Sequence, residues 1–309
     1  MSRFSKLVWS EGLFLQPQHF QQQDRHTDHE IRVRQLLQSP HAYGFVSLEL
    51  DESLLKLNQL GVIQAEGFFP DGTYFHIPHT CAAPEPVTVS LEQAHETLTL
   101  CLPLSVGLDC ELSRESAPVH SRKRYAVKRI DCSNVHEAET GSETLEVAVI
   151  QPQLRHTGVP MEGLSSLGLA KVQAGTDALH PTLNKAYIPP VLDCHASPVL
   201  LLMVRRIRVL LEQKIRQDLS QDSSLLDTHL REAAHRHHGV FHYMEQQRGT
   251  HPESLYRECL RLRGDTWAAA QAIRSSVALS EPPPPYVHHD LASTFEPLLS
   301  GFESIFSGR

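Results

Sequence analysis

The features by which a sequence usually announces its chemistry are missing here. No Gly-rich phosphate loop, GxGxxG fingerprint or nucleophile elbow occurs in the 309 residues, which removes the sequence grounds for dinucleotide binding, phosphoryl transfer or serine hydrolysis. Cys81, Cys101, Cys110, Cys132, Cys194 and Cys259 stand apart with no CxxC spacing. That pattern argues against a zinc ribbon, a redox dithiol or a disulfide framework, and it suits reduced, partly buried thiols in a cytoplasmic protein. No apolar run approaches the roughly 20 residues a spanning helix needs. Only Arg3 and Lys6 precede an opening segment that Glu11 and Gln16 interrupt, so neither a signal peptide nor direct membrane insertion fits. Positive charge is short as well: 28 Lys and Arg against 36 Asp and Glu leave a formal charge of -8, which disfavours a nucleic-acid surface. The basic run Arg205 to Arg208 sits inside a helical pattern and reads as a solvated stripe.

What the chain does have in quantity is histidine, 20 in all. They are densest in "HLREAAHRHHGVFHYM", where His238 and His242 lie one helical turn apart and His235 and His238 share a face. A histidine pair at that spacing can bind zinc, but the hydrolase form has Glu directly after the first His, and Gly239 stands there. The carboxylates are dispersed as helix caps and surface groups. No metal, no cofactor and no enzymatic activity is therefore expected.

From about Tyr43 to Ala186 short alternating apolar segments are broken by Gly, Pro, Asp and Asn. "FVSLEL", "VTVSLEQ", "TLTLCLPL", "RYAVKRI" and "TLEVAVIQPQL" place Val87, Val89 and Leu91 on one face, and Leu98, Leu100, Leu102 and Leu104 on another. In "FFPDGTYFHIP" the Pro70-Asp71-Gly72 triplet predicts a tight turn between strands ending at Phe69 and starting at Thr73. The fold class is accordingly mixed: an antiparallel β-sandwich with one wet face, then helices.

Past Pro189 and Pro190 the period becomes helical. Ser197 is a cap with Pro198 at the first helical position, and Leu200, Val204, Ile207, Leu211, Ile215 and Leu219 form one stripe. Heptad-like stripes follow at Leu226, Leu230, Ala233, His237, Val240 and Met244, then at Leu255, Cys259, Leu262, Thr266, Ala269 and Ile273. After four prolines, Leu291, Phe295, Leu298, Phe302 and Ile305 give a fourth stripe, with Pro297 predicting a kink or a helix start. Four stripes carry more apolar surface than one small bundle uses, so Leu200, Val204, Ile207, Leu211, Leu230, His237, Val240 and Leu262 are the candidate seam to other copies. His237 on that seam reads as an interior polar element, expected to be neutral and to weaken the assembly as pH falls.

The opening stretch "WSEGLFLQPQHFQQQD", Trp9 to Asp24, closely resembles the N-terminal signature of the TssK family, baseplate subunits of bacterial type VI secretion systems. "AEGFFPDGTYFHIP", residues 65 to 78, is similar to that family's strand and turn, and the order of sheet then helices extends the resemblance over the whole chain. It implies a division into an N-terminal strap and linker (1–42), a β-sandwich shoulder (43–190) and a helical neck (191–309). It also implies a homotrimer formed through the neck, docking on the TssF and TssG wedge proteins, and a cytoplasmic location at the inner face of the bacterial inner membrane. Contact with the TssJ, TssL and TssM membrane complex belongs to a C-terminal head, which is expected to lie beyond Arg309. A phage-like receptor or carbohydrate-binding module of shoulder type is the alternative. Trp9, Glu11, Gly12, Phe14, Pro17, Gln18 and Phe20 are the candidate partner-binding residues, with Trp9 and Phe14 expected to pack on the shoulder sheet.

Overall fold

The computed structural model describes residues 4–93, 95–105, 111–114, 122–134, 136, 141–174, 181–217, 225–272 and 282–307, the side chains of 268–272 and 307 excepted. Cys110, Leu219, Ile273 and the side chain of Ala269 lie outside the described residues. A first sheet contains β1 (Gly44–Asp51), β2 (Gln59–Phe68), β3 (Tyr74–Ile77) and the short β4 (Val87–Thr88), all antiparallel and centred on β2. A second has the order β11-β10-β5-β9, where β5 is Thr97–Pro103, β9 is Gln153–His156, β10 is Leu164–Ala174 and β11 is Pro181–Leu183. The third joins β6 (Leu112–Ser113) parallel to β7 (Tyr125–Ser133), which pairs antiparallel with β8 (Ser142–Ile150).

The Pro-Asp-Gly hairpin falls within one residue of its predicted place, with Phe68 opposite Tyr74 and Gly72 at φ 82. Other expectations shift. "TLEVAVIQPQL" is two strands, because Pro152 cannot donate to a ladder and the chain changes sheets there: β8 pairs with β7, and β9 with β5. Val87 and Thr88 are a strand, but Leu91 belongs to a 3-10 turn whose approach is fixed by the Ser90 N–H donating to Gln93 Oε1 at 3.0 Å. Leu104 is exposed, since β5 ends at Pro103. Nor does β5 have a wet face: Thr99 and Cys101 are buried along with Leu98, Leu100 and Leu102, as suits a strand flanked on both edges by β9 and β10. Cys81, Cys101, Cys132, Cys194 and Cys259 are free thiols.

Phe45 and Phe75 of the first sheet and Leu98, Leu100 and Leu167 of the second belong to one buried cluster, which continues into the helices through Val191, Cys194, Leu200 and Val204. The two halves therefore share a core. Their backbones also meet: the Phe45 N–H donates to Pro190 O (2.9 Å) and the Leu192 N–H to Phe45 O (2.8 Å). Gly44 makes this possible, because a Cβ there would sit 2.6 Å from Pro190 O and its φ is 128.

Four helices follow: α2 (Pro198–Arg216), α3 (Leu225–Gln246), α4 (Pro252–Ala272) and α5 (Leu291–Ser307). Ser197 caps α2 as expected, accepting from the Leu200 N–H. Helix α5 does not start at Pro297 but at Leu291, where Asp290 Oδ1 accepts from the Ser293 N–H at 3.2 Å. Leu291, Phe295, Leu298 and Phe302 are buried as their spacing requires.

One buried ion pair ties the three sheets. Arg124, just ahead of β7, lies 3.0 Å from Asp71 of the hairpin turn and also donates to Thr73 Oγ1 and to Pro103 O at the end of β5. The Asp71 N–H in turn donates to Ser165 Oγ on β10. Both charges are almost wholly enclosed, so removing one strands the other without solvent. Arg124→Met is expected to lower unfolding free energy by about 3 kcal/mol, while Arg124→Met with Asp71→Leu recovers part of the loss; urea denaturation of both variants checks this.

Candidate partner-docking surface

Residues 4 to 38 make a unit unlike the rest. Pro17 sits at the first helical position of α1 (Pro17–Gln38), and the Gln16 N–H donates to His19 Nδ1 at 2.9 Å. The helix is 22 residues long and none of its side chains is buried. Short helices draw most of their stability from burial of one face, and this one lacks that face within its own chain.

The segment before α1 folds back along it. Phe4 stacks on His29 with ring centroids 4.1 Å apart, Phe4 O and Ser5 O accept from His26 Nδ1 and Gln22 Nε2, and Trp9 lies by His19. The order runs antiparallel: residue 4 meets 26 and 29, residue 5 meets 22, residue 9 meets 19. Reversal comes at the turn closed by the Leu13 N–H donating to Ser10 O (3.2 Å), with Gly12 at φ 77. The strap thus clings to its own helix. Trp9 and Phe14 do not pack on the sheet as expected: they are 52% and 81% exposed. The physical reason is that the sheet's apolar faces are already closed by each other and by the helices.

All seven candidate partner-binding residues, Trp9, Glu11, Gly12, Phe14, Pro17, Gln18 and Phe20, are exposed and adjoin one another around the turn and the first coil of α1. Exposed Val8, Leu13, Leu15, Ile31 and Leu37 extend the apolar surface. Apolar surface of this extent marks an interaction site. Arg32 holds α1 to the body, its Cγ lying 3.3 Å from where a Cβ on Gly72 would stand.

The helical seam behaves differently. Leu200, Val204, Ile207, Leu211, Leu230, His237 and Leu262 are buried within the single chain, so they form its own core and have no surface left for another copy. Of the eight residues expected there, only Val240 presents surface, at 37%, because Phe241 takes the buried place beside it. Leu202, Leu225 and Tyr243, at 64%, 70% and 63%, and Trp267 at 48% are further helical apolar groups left in the open. His238 and His242 stack with centroids 6.2 Å apart, but among the described residues no three His, Cys, Asp or Glu side chains are grouped to hold a metal ion. No helix among them is long and apolar enough to cross a membrane.

Residues 19–308 match the family model described as bacterial type VI secretion, VC_A0110, EvfL, ImpJ and VasE. The chain belongs to that family. It is 31% identical over 315 residues to the type VI secretion system baseplate component TssK1 of Pseudomonas aeruginosa, covering 97% of this chain and 68% of that protein. A crystal structure of TssK superposes with a TM-score of 0.87 at 27% identity, covering 98% of this chain and 69% of the other. The TssK chain of a TssK-TssF-TssG baseplate subcomplex gives 0.82 at 25% identity, with 98% and 99% covered. The TssK-like order of antiparallel sheets followed by helices is therefore that of the family.

In this TssK-family chain His237 is a buried polar group of the helical half with a partner at each ring nitrogen. Its Nδ1 lies 2.6 Å from Glu258 Oε1 and its Nε2 2.9 Å from Asp265 Oδ2, with Arg261 on Glu258 and Arg236 on Asp265. The ring thus stands between two carboxylates of α4, one at each nitrogen, and ties α3 to that helix. His237→Leu takes the buried partner from Glu258, which keeps the exposed Arg261, and is expected to cost about 3 kcal/mol, with His237→Leu plus Glu258→Leu regaining part of it in thermal denaturation.

Proposed function

We propose that this chain is a structural adaptor of the type VI secretion baseplate, assembling as a homotrimer and docking on a wedge of TssF and TssG. The observation that carries the reading is the N-terminal unit: a strap and a helix with no buried side chain, together presenting apolar surface, in a chain that resembles over nearly its whole length a TssK solved with TssF and TssG. Residues 1–42 supply the docking unit, 43–190 the shoulder that carries it and 191–309 the neck through which copies associate. Trimer contacts fall on the exposed side of the neck, at Val240 and Tyr243 of α3 and Leu202 of α2, since the buried stripe is committed to the chain's own core. The relative from Pseudomonas aeruginosa is longer than the aligned region, and contact with TssJ, TssL and TssM is assigned to the head of such full-length relatives. The adaptor works in the cytoplasm at the inner face of the inner membrane, by interfaces and without catalysis.

Each buried aromatic anchor contributes on the order of 2 kcal/mol, more than tenfold in affinity. Because Trp9, Phe14 and Phe20 are exposed in the free chain, Trp9→Asp, Phe14→Asp and Phe20→Asp together should leave circular dichroism and melting temperature unchanged while abolishing co-purification with TssF and TssG. Retained co-purification would overturn the docking assignment. Val240→Asp with Tyr243→Asp should convert a trimer mass in light scattering to that of a monomer, and an unchanged mass would overturn the assigned contacts.

A further inference from the structure

Three histidines distant in sequence meet where the linker leaves α1. His41 of the linker and His251 at the start of α4 both stack against the buried His288, each with centroids 5.2 Å from it, the second nearly parallel at 12°. Tyr43, Tyr286 and Tyr256 close the sides, at 4.8 Å from His288 to Tyr43 and 5.4 Å between the two other tyrosines.

The hydrogen bonds fix the tautomers. His251 Nε2 donates to His41 O at 3.1 Å and His288 Nε2 to Tyr43 O at 2.7 Å, while Nδ1 of His251 accepts from the Glu253 N–H and Nδ1 of His288 from the Tyr286 hydroxyl. Each ring is satisfied as a neutral imidazole with its proton on Nε2. Adding a proton to His251 Nδ1 would set two donors face to face, and the backbone N–H cannot turn away. We propose that His251 and His288 are positioning residues for α1: as neutral rings they clamp the carbonyls of linker residues 41 and 43, and protonation opens the clamp and frees the helix.

The surroundings agree. Facing the pair are His41 and Tyr43 from the linker, Glu253, Tyr256 and Arg257 from α4, and Tyr286 and His289 from the segment before α5. Burial, the largest influence, opposes a charged His251, as do the His41 ring and Arg257; the hydrogen bond to the His41 carbonyl and Glu253 favour it but do not outweigh burial. Burial pushes His251 below the ordinary histidine value and His288 down to about 4. The clamped state thus binds fewer protons than the released one between about pH 6.5 and 4, so it is complete above that window and lost on acidification through it. Helix α1 has no buried side chain, and Arg32 beside Gly72 is a further contact it makes with the body. That α1 then docks a partner rests on the function proposed above, whereas the clamp itself does not.

Spin labels at Gln21→Cys on α1 and Gln246→Cys at the end of α3 report the separation of helix and neck in the whole chain by pulsed electron resonance. We expect a narrow distance distribution at pH 7.5 that is about twofold broader at pH 5, with helical circular dichroism retained. His251→Gln with His288→Gln keeps an uncharged amide donor in place of each Nε2–H and should stay narrow at both pH values. An unchanged wild-type distribution at pH 5, broadening that accompanies loss of helicity, or equal acid broadening in the glutamine variant would each overturn the clamp. None of these readings involves TssF or TssG, so a failed clamp and a failed docking assignment remain distinguishable.

Discussion

The buried Arg124–Asp71 pair is the constraint on which the strand half depends. The guanidinium is planar with fixed donors, and here they are spent on a turn aspartate, a threonine beside it, a strand-end carbonyl and the Tyr125 hydroxyl. These groups come from three stretches of chain, so the full set can form only when the hairpin of the first sheet, the end of β5 and the start of β7 have arrived together. Pairing without solvent is costly to break and weakly stabilising to make. Its effect is therefore register: it admits one arrangement of three sheets that hydrophobic burial alone would leave free to slide.

That arrangement decides where α1 lies. The hairpin turn held from below by Arg124 carries Gly72 on its upper side, and Arg32 of α1 rests there. Behind α1 the linker meets the histidine stack, and immediately afterwards Gly44 and Phe45 join the backbone at Pro190 and Leu192. A helix with no buried face of its own is thus carried by two junctions, one on the sheets and one on the helical half. Such a mounting presents apolar side chains without burying them, which is what an interface awaiting a partner requires.

In the helical half, period and burial agree on three of four stripes, and the disagreements are instructive. A heptad reading put Val240 inward, yet the step of four from His237 to Phe241 follows the true 3.6-residue turn and buries the larger ring. The same stripes suggested surplus apolar surface for other copies. Packing of α2 against α3 and α5 consumed it instead, because the helices face one another and the sheets at once.

Strand and helix order, the Pro-Asp-Gly turn and the Ser197 cap were legible in the sequence, since each rests on local geometry: residue period, fixed φ, a side chain reaching its own backbone. The opening signature also pointed to the family, because its residues are consecutive in the chain. What the sequence could not decide is every relation between residues far apart. Asp71 reads as a turn residue until Arg124 is beside it; His41, His251 and His288 carry no spacing that joins them; His237 is one more member of a helical stripe until Glu258 and Asp265 are found at its two nitrogens. Charge state, burial and exposure depend on neighbours brought by the fold, and only the tertiary structure supplies them.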